Sequence, residues 1–190
     1  MKKIVIFASG SGSNAQNIIE FFKESSEVEV SLILSNNKNA FVLQRAKNLG
    51  IPAVSFTRDE FNKSESVLQK LLDMKIDLIV LAGFMWLIPK YLLNKFSGRI
   101  INIHPALLPK YGGKGMYGMH VHNAIIENKE KKSGITIHYV NERYDEGEII
   151  FQAEVEIDTN DTAETLAEKV HKLEYIHYPV IIENYLKGLP

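Results

Sequence analysis

The segment IINIHPALLPKYGG, residues 100–113, places an amide and an imidazole at the end of an apolar run. Asn102 and His104 are two residues apart, and side chains two apart on a strand point to the same side. They would therefore face one spot, where the amide can donate a hydrogen bond and the imidazole can titrate near neutral pH. A polar strand end that only hydrogen-bonds the following loop has the same spacing, so the pattern alone leaves both interpretations open.

A second polar segment, ASGSGSNAQNII at residues 8–19, follows the first apolar run. Gly10 and Gly12 allow a ligand to approach the backbone closely, and a helix N-terminus behind them would offer free N–H groups to an anion. Ala15 stands where the dinucleotide fingerprint has its third glycine, and no acidic residue ends the second strand. We therefore expect a site for a single phosphate; a tight turn capped by Asn or Ser, without a ligand, is the alternative.

Elements that could position these residues follow a strand–helix rhythm in the first half of the chain. Buried-type apolar runs predict strands at Ile4–Phe7, Val28–Leu34, Ala53–Phe56, Asp77–Gly83 and Arg99–Ile103. Amphipathic stretches between them predict helices, and this alternation is typical of a parallel sheet covered on both faces. Ligands bind outside the carboxyl ends of such strands. We therefore expect residues 10–14, 83–85 and 102–104 to converge at one edge of the sheet.

The pattern changes after Ser133. The runs GITIHYV and GEIIFQAEVEI predict an antiparallel hairpin added to the sheet, and an amphipathic helix is expected from about Thr162 to Tyr185, with Asp161 as its N-cap. The sequence therefore predicts a single α/β domain over residues 1–190. Its sheet is Rossmann-like and mostly parallel, with helices on both faces and a C-terminal β-hairpin plus long helix.

Composition argues against several classes of partner. Twenty-two basic residues stand against twenty-three acidic ones, for a formal net charge of −1, which does not favour a nucleic-acid or membrane partner. No apolar run approaches the roughly 18 residues of a membrane helix. The start MKKIVIFASGSGSN reaches glycine too soon for a signal peptide and is interpreted as a first strand. The chain has no cysteine, which is compatible with the cytoplasmic location that we expect.

Six histidines raise the question of a metal site. His120 and His122 are two residues apart, and His171 and His177 are six apart on a predicted helix. Neither pair has the i, i+4 spacing of a helical zinc site, so we expect no metal and a surface or partly packed position for the helical pair. The run at residues 129–132, which contains Glu130, is predicted to be a solvated loop.

The motif NIHPALLPKYGG, with SGSGSN before it and VLAGFM between them, resembles the folate-dependent formyltransferases. The resemblance extends from Lys3 to about Tyr185. It implies transfer of a formyl group from the co-substrate 10-formyltetrahydrofolate to the primary amine of glycinamide ribonucleotide, a step of de novo purine biosynthesis, without a metal.

The resemblance also implies roles for single residues. The catalytic trio of the family falls on Asn102, His104 and Asp145, the last in the loop VNERYDEGEII. Three nearby acids leave the choice of the carboxylate open: Glu142, Glu146 and Glu148. The family's phosphate and ribonucleotide contacts fall on Gly12, Ser13, Asn14 and Glu174. Its folate contacts fall on Arg58, Met85, Trp86, Leu87, Ile88 and Asn102. His138 matches a position near the substrates.

Two of these assignments carry an alternative. Arg58 aligns with the family's arginine only through a small gap, and Trp86 could be either a folate-stacking platform or a core anchor. The loop GGKGMYGMHVHNAI is longer than the common form of the family, which leaves its substrate contacts open.

Other activities remain to be distinguished. A formyltetrahydrofolate hydrolase has the same trio but usually an extra N-terminal domain, whereas this chain begins at its first strand. Transfer-RNA and sugar-nucleotide formyltransferases share the core and add a C-terminal domain. A non-catalytic nucleotide-binding module would leave Asn102, His104 and Asp145 without a shared task.

Overall fold

The computed structural model describes residues 1–189, and within them the strands form one seven-stranded sheet. Their bounds are β1 (Lys2–Phe7), β2 (Val28–Ser35), β3 (Ala53–Ser55), β4 (Leu78–Leu81), β5 (Ile100–His104), β6 (Lys132–Tyr139) and β7 (Ile149–Glu156). The strand order is β3-β2-β1-β4-β5-β6-β7. Every pair from β3 to β5 is parallel, whereas β6 is antiparallel to both β5 and β7. The predicted mostly parallel sheet with an added hairpin is therefore confirmed.

Seven helices connect or cover these strands in the described part of the chain. They are α1 (Ser13–Phe22), α2 (Phe41–Asn48), α3 (Arg58–Asn62), α4 (Ser66–Asp73), α5 (Lys90–Lys95), α6 (Met119–Glu127) and α7 (Ala163–Lys187). The sequence patterns did not predict the short α3. Its local signal is a capping box, in which Thr57 caps the Glu60 backbone and the Glu60 side chain accepts from the Thr57 N–H.

The sheet separates two hydrophobic cores, because successive side chains of a strand point to opposite faces. In β1, Ile4 and Ile6 join a core formed with α1, α2, α6 and α7, while Val5 and Phe7 join a core formed with α3, α4 and α5. All four side chains are fully buried. Helices on both faces explain why consecutive residues of this strand, Ile4–Phe7, are all apolar, as the sequence predicts.

The direction of the chain across the sheet changes between β1 and β4. From β1 the chain moves outward to β2 and β3, and it then returns to place β4 on the other side of β1. The loops that follow β1 and β4 therefore leave the sheet in opposite directions and open a crevice at their carboxyl ends. This crevice lies where the sequence predicts three polar segments to converge.

Helix α7 ties the C-terminal part of the chain to this edge. The hydroxyl of the fully buried Tyr178 donates to the Leu81 carbonyl at 2.9 Å and lies 3.4 Å from the Ile101 carbonyl. These carbonyls end β4 and precede Asn102, so one side chain fixes α7 against both strands. The helix also contains Pro179 in its interior.

The predicted N-cap of this last helix is wrong by one residue. Thr162, not Asp161, caps α7: its hydroxyl accepts from the Thr165 N–H in a reciprocal capping box. Asp161 instead accepts from the Asp158 N–H at 2.7 Å and pairs with Lys169. Thr162 takes the N-cap position because the Asp161 side chain already accepts a hydrogen bond within the preceding turn.

Candidate active site

A cavity of about 550 Å³ opens at the carboxyl ends of β1, β4 and β5. Four chain segments line it, together with single residues of later elements: Gly10–Asn14, Ala82–Met85, Asn102–Pro105 and Gly113–Gly118, then His122, Tyr144, Asp145, His171 and Glu174. The three polar segments that the sequence predicts to converge therefore do so. The antiparallel hairpin and the helices α6 and α7 complete the walls.

Asn102 on β5 faces His138 on β6, where the parallel part of the sheet meets the antiparallel part. The β5–β6 register sets the two residues opposite each other, and Asn102 Nδ2 lies 3.1 Å from His138 Nε2. His138 Nδ1 is 2.7 Å from the Tyr139 carbonyl, which can only accept, so Nδ1 carries the proton and Nε2 accepts from Asn102. One amide hydrogen of Asn102 is thereby engaged, and the second is free to serve a ligand.

His104 is buried at the end of β5 with its two ring nitrogens in different surroundings. Nε2 donates to the Tyr111 carbonyl at 2.7 Å, and Nδ1 lies 3.6 Å from Asp145 Oδ2. Burial lowers the pKa of His104, and this effect outweighs the opposing influence of Asp145 and of the Tyr111 carbonyl. At neutral pH the ring is therefore neutral, with its proton on Nε2 and a lone pair on Nδ1.

Asp145 stands between two imidazoles in the loop that joins β6 to β7. Oδ2 accepts from the Gly113 N–H at 2.9 Å, and Oδ1 lies 3.6 Å from His138 Nε2. Burial alone would raise the pKa of Asp145, but His138, His104 and the Gly113 N–H together hold it below its usual value. The carboxylate is therefore ionised at neutral pH.

The neighbouring acids of this loop do not line the cavity. Glu142 pairs with Lys90 at 2.9 Å, and Glu146 pairs with Arg143 at 3.1 Å, both on the exposed surface. Asp145 has a φ of 57°, in the left-handed region, where a residue with a Cβ is held at a cost of about 1–3 kcal/mol. With this turn, the Asp145 carboxylate lies in the cavity wall, whereas the carboxylates of Glu142 and Glu146 lie on the surface.

The loop after β1 exposes the start of α1 to the cavity. Gly12, with a φ of 74°, precedes the helix, and a Cβ there would lie 2.3 Å from Val42 Cγ2, so only glycine fits. Among the described residues, none caps the first turn of α1 through its side chain. The free N–H groups and the positive end of the helix dipole therefore face the same space as Ser13 and Asn14.

Glu174 reaches this loop from α7. Its Oε2 accepts from Asn14 Nδ2 at 2.8 Å and lies 4.0 Å from His171 Nε2. Burial raises the pKa of Glu174, partly offset by the Asn14 hydrogen bond. The Asn14 Oδ1 atom is buried and has no hydrogen-bond partner among residues 1–189. The site thus presents an unsatisfied acceptor beside the free helix end.

Two histidines of the cavity wall were not predicted to lie there. His122 is 2% exposed, and its Nδ1 finds no hydrogen-bond partner in the described part of the chain. Burial, with the nearby His171 and His104, lowers its pKa to about 4. The helical periodicity of MHVHNAIIE could have indicated this burial, because His122 lies on the helix face that also carries the buried Val121 and Ile125. His171 is exposed and His177 half-buried, as predicted.

The residues assigned to folate lie mostly outside the cavity. Met85 lines it, while Arg58, Trp86, Leu87 and Ile88 do not. Trp86 packs among Phe56, Phe61 and Phe84, and the Arg58 guanidinium carbon lies 5.5 Å from its ring centroid. These contacts favour the core-anchor interpretation of Trp86 over a stacking platform. Ile88 is buried in the same core, and Leu87 is exposed.

Within residues 1–189, no group of three or more His, Cys, Asp or Glu side chains could hold a metal ion. No helix over that range is both long enough and apolar enough to cross a membrane.

The chain is similar over nearly its whole length to several phosphoribosylglycinamide formyltransferases. It is 40% identical to the chloroplastic phosphoribosylglycinamide formyltransferase of Arabidopsis thaliana, over 98% of this chain and 67% of the plant protein. It is 39% identical to the phosphoribosylglycinamide formyltransferase of Bacillus subtilis, over 98% of this chain and 95% of that protein. A crystal structure of phosphoribosylglycinamide formyltransferase from Anaplasma phagocytophilum superposes with a TM-score of 0.90, at 33% identity, covering 98% of this chain and 87% of the other.

A model of one protein family also matches this sequence. The formyl transferase family model covers residues 2–182, which include β1–β7 and most of α7. This match contains every segment that lines the cavity. The chain belongs to the formyl transferase family.

Proposed function

We propose that this chain has phosphoribosylglycinamide formyltransferase activity, in which 10-formyltetrahydrofolate gives its formyl group to the amine of glycinamide ribonucleotide. The observation that carries the proposal is the meeting of Asn102, His104 and Asp145 on one cavity wall. The names of its relatives in Bacillus subtilis and Anaplasma phagocytophilum support the same reaction. A non-catalytic module would not need these three groups together.

The phosphate of the ribonucleotide binds at the start of α1. Gly12 permits the close approach, Ser13 and the free N–H groups donate, and the helix dipole favours the negative charge. Glu174 holds Asn14 in place through the 2.8 Å hydrogen bond and contacts the ribonucleotide. This arrangement leaves the amine of the substrate to reach toward the β5–β6 junction.

The folate co-substrate enters along the segment after β4. Met85 lines the cavity, and its N–H donates to Ser9 Oγ at 2.9 Å, so this backbone is fixed next to the phosphate loop. We assign the folate contacts to Met85, Trp86, Leu87 and Ile88. For Trp86 and Ile88 these are backbone contacts, because both side chains are packed in the core. Arg58, which covers Trp86, lies on the outer side of this segment.

Formyl transfer requires that a C–N bond form before another breaks. The amine nitrogen attacks the formyl carbon, and the carbonyl electrons move to its oxygen to give a tetrahedral oxyanion. The amine proton passes to the lone pair of His104 Nδ1, and the imidazolium formed is stabilised by Asp145 and by the Tyr111 carbonyl. The C–N bond to folate then breaks, and the leaving nitrogen takes the proton from His104, giving the formamide and tetrahydrofolate.

Asn102 and His104 stabilise the oxyanion together. The amide hydrogen of Asn102 that is not bound to His138 donates to the oxygen, and the Nδ1–H of protonated His104 adds a charged donor. Such donors act most strongly when they are already oriented before reaction, and each contributes roughly 3–4 kcal/mol to lowering the barrier. No covalent enzyme intermediate is required, because the deprotonated amine is itself the nucleophile.

Two broader assignments accompany this activity. We treat residues 1–190 as one formyltransferase domain. A single sheet and a single family match, over residues 2–182, support this assignment. A cytoplasmic location stays a proposal from the sequence, since the similar Arabidopsis protein is named as chloroplastic.

An absorbance assay of folate product formation, run with and without glycinamide ribonucleotide, tests the proposal. Product that depends on the amine supports transfer. Product that forms equally without the amine would identify a hydrolase, and absence of product under both conditions would favour the non-catalytic module.

A further inference from the structure

The backbone at residues 111–113 holds both members of the His104–Asp145 pair. The Tyr111 carbonyl accepts from His104 Nε2 at 2.7 Å, and the Gly113 N–H donates to Asp145 Oδ2 at 2.9 Å. Between them, a Cβ on Gly112 would lie 2.5 Å from Leu108 Cδ2 and 3.2 Å from Asp145 Cβ, so the backbone is packed directly against the loop of Asp145. One tripeptide therefore sets the position of the imidazole relative to the carboxylate.

This tripeptide does not adopt its conformation without support. Tyr111 has a φ of 57°, in the left-handed region that residues with a Cβ rarely occupy. Such a conformation persists only where surrounding contacts hold it. The side chain of the same residue supplies one of these contacts, because the Tyr111 hydroxyl donates to Glu130 Oε1 at 2.9 Å.

Glu130 lies in the turn between α6 and β6, and its carboxylate binds the side chains of two consecutive residues, Lys110 and Tyr111. Its Oε1 accepts from Lys110 Nζ at 2.9 Å as well as from the Tyr111 hydroxyl. The hydrogen bond from the Tyr111 hydroxyl is partly buried, whereas the one from Lys110 is exposed, so the tyrosine contact is the more protected of the two. Through this carboxylate, the loop that carries the Tyr111 carbonyl is tied to the turn before β6.

We propose that Glu130 and the Tyr111 hydroxyl are positioning residues for His104. By fixing the Tyr111 carbonyl they hold neutral His104 as the Nε2–H tautomer, with the Nδ1 lone pair turned toward Asp145 and the cavity. Without this tether the tyrosine backbone relaxes, its carbonyl leaves Nε2, and the ring populates orientations that cannot take the amine proton. This role rests on the proposed formyl transfer, but the tautomer itself can be measured without it.

The test uses Tyr111→Phe and Glu130→Ala, alone and together. Glu154→Ala is the matched control, because Glu154 accepts from Lys132 Nζ at 2.9 Å on the hairpin and does not line the cavity. The side-chain nitrogen-15 signals of His104 are recorded by NMR without substrate, and kcat and KM are measured for both substrates. Thermal unfolding checks that each variant is folded.

We expect both single variants to shift the His104 signals away from a pure Nε2–H tautomer. Loss of one hydrogen bond should lower kcat roughly two- to tenfold, with little change in either KM. The double variant should be no worse than either single one, because both remove the same tether. Glu130→Gln still accepts from the tyrosine hydroxyl, so its His104 signals should match those of the unmodified protein. Glu154→Ala should change neither the His104 signals nor kcat.

Unchanged His104 signals in folded Tyr111→Phe would overturn the proposal, as would altered signals with an unchanged kcat. Tyr111→Phe keeps the ring and removes only the hydroxyl, so it remains informative if Glu130→Ala does not fold. If the unmodified protein shows no amine-dependent transfer, the proposed function fails, yet the nitrogen-15 signals still decide whether the tether sets the tautomer.

Discussion

The loop at Gly10–Asn14 and the junction of β5 with β6 line the same cavity, but they offer it different groups. The loop end offers backbone N–H groups, small side chains and a helix dipole, which suit an anion that does not react. The junction offers the Asn102 amide and the buried His104 imidazole, whose pKa is lowered by burial.

The difference follows from strand pairing. Parallel strands are joined by helices, so the ends of β1 and β4 carry loops and a helix N-terminus. Antiparallel pairing of β5 with β6 instead sets Asn102 directly opposite His138, on one face of the sheet. We therefore expect substrate binding at the loops of the parallel part and catalysis at the antiparallel junction, and four variants test this division.

The largest effect is expected at the junction from Asn102→Ala. Removal of an oxyanion donor should lower kcat by roughly 10²–10³-fold, or about 3–4 kcal/mol, while KM for the ribonucleotide changes little. Steady-state kinetics measure both. Asn128→Ala is a suitable control, since Asn128 only donates to the Ala124 carbonyl on the exposed end of α6. Near-normal turnover in Asn102→Ala would remove the oxyanion role.

The next effect concerns the choice of carboxylate. Asp145→Asn keeps the shape but removes the charge that stabilises protonated His104, so we expect kcat to fall roughly a hundredfold. Glu146→Gln removes a neighbouring exposed acid that pairs with Arg143 and should leave kcat unchanged. If the two variants gave the opposite pattern, Asp145 would be the wrong acid.

A third effect concerns His122, which interacts with His171 near the loop and with His104 at the junction. Its pKa of about 4 lies below the usual 6.5, so the unfolded chain binds more protons between these values and stability falls as the pH drops through that window. From about pH 7 to pH 4.5 we expect this residue to lower the free energy of unfolding by about 2 kcal/mol. Urea unfolding should show a shallower acid loss in His122→Gln than in the unmodified protein; equal slopes would contradict the assignment.

The smallest effect is expected at the loop end from Asn14→Ala. It should raise the KM for glycinamide ribonucleotide roughly tenfold, because a contact next to a charged phosphate is lost. The value of kcat should stay nearly the same. A substrate without its phosphate should bind weakly to both proteins and show little difference between them. An equal loss for both substrates would mean that this loop does not bind the phosphate.

The fold was largely predictable because its signals are local. Apolar runs at Ile4–Phe7 and Val28–Leu34 are buried on both faces, so their pattern alone indicates parallel strands. The errors occurred where side chains compete at close range. Asp161 and Thr162 are both good N-caps, and only their partners in the folded chain decided that Thr162 caps α7.

The candidate site was predictable where motifs lie at strand ends, and less so elsewhere. Asn102, His104 and the Gly10–Asn14 loop follow strands, so topology places them together. His122 and Glu130 follow no such rule: one was considered as a metal ligand and the other as part of a solvated loop. Their positions depend on how α6 packs and where its turn meets Tyr111, which are contacts between segments far apart in sequence.

Local sequence patterns were enough to predict the strands, most of the helices, a candidate anion-binding loop, and the pair of polar residues that ends β5. Those features depend on side-chain periodicity and on groups close together along the chain. The folded structure was needed to show which ring nitrogen of His104 carries its proton, which carboxylate faces the ring, and which residues contact both. These depend on distances between remote segments, and protonation responds to burial and to neighbouring charge that exist only after folding.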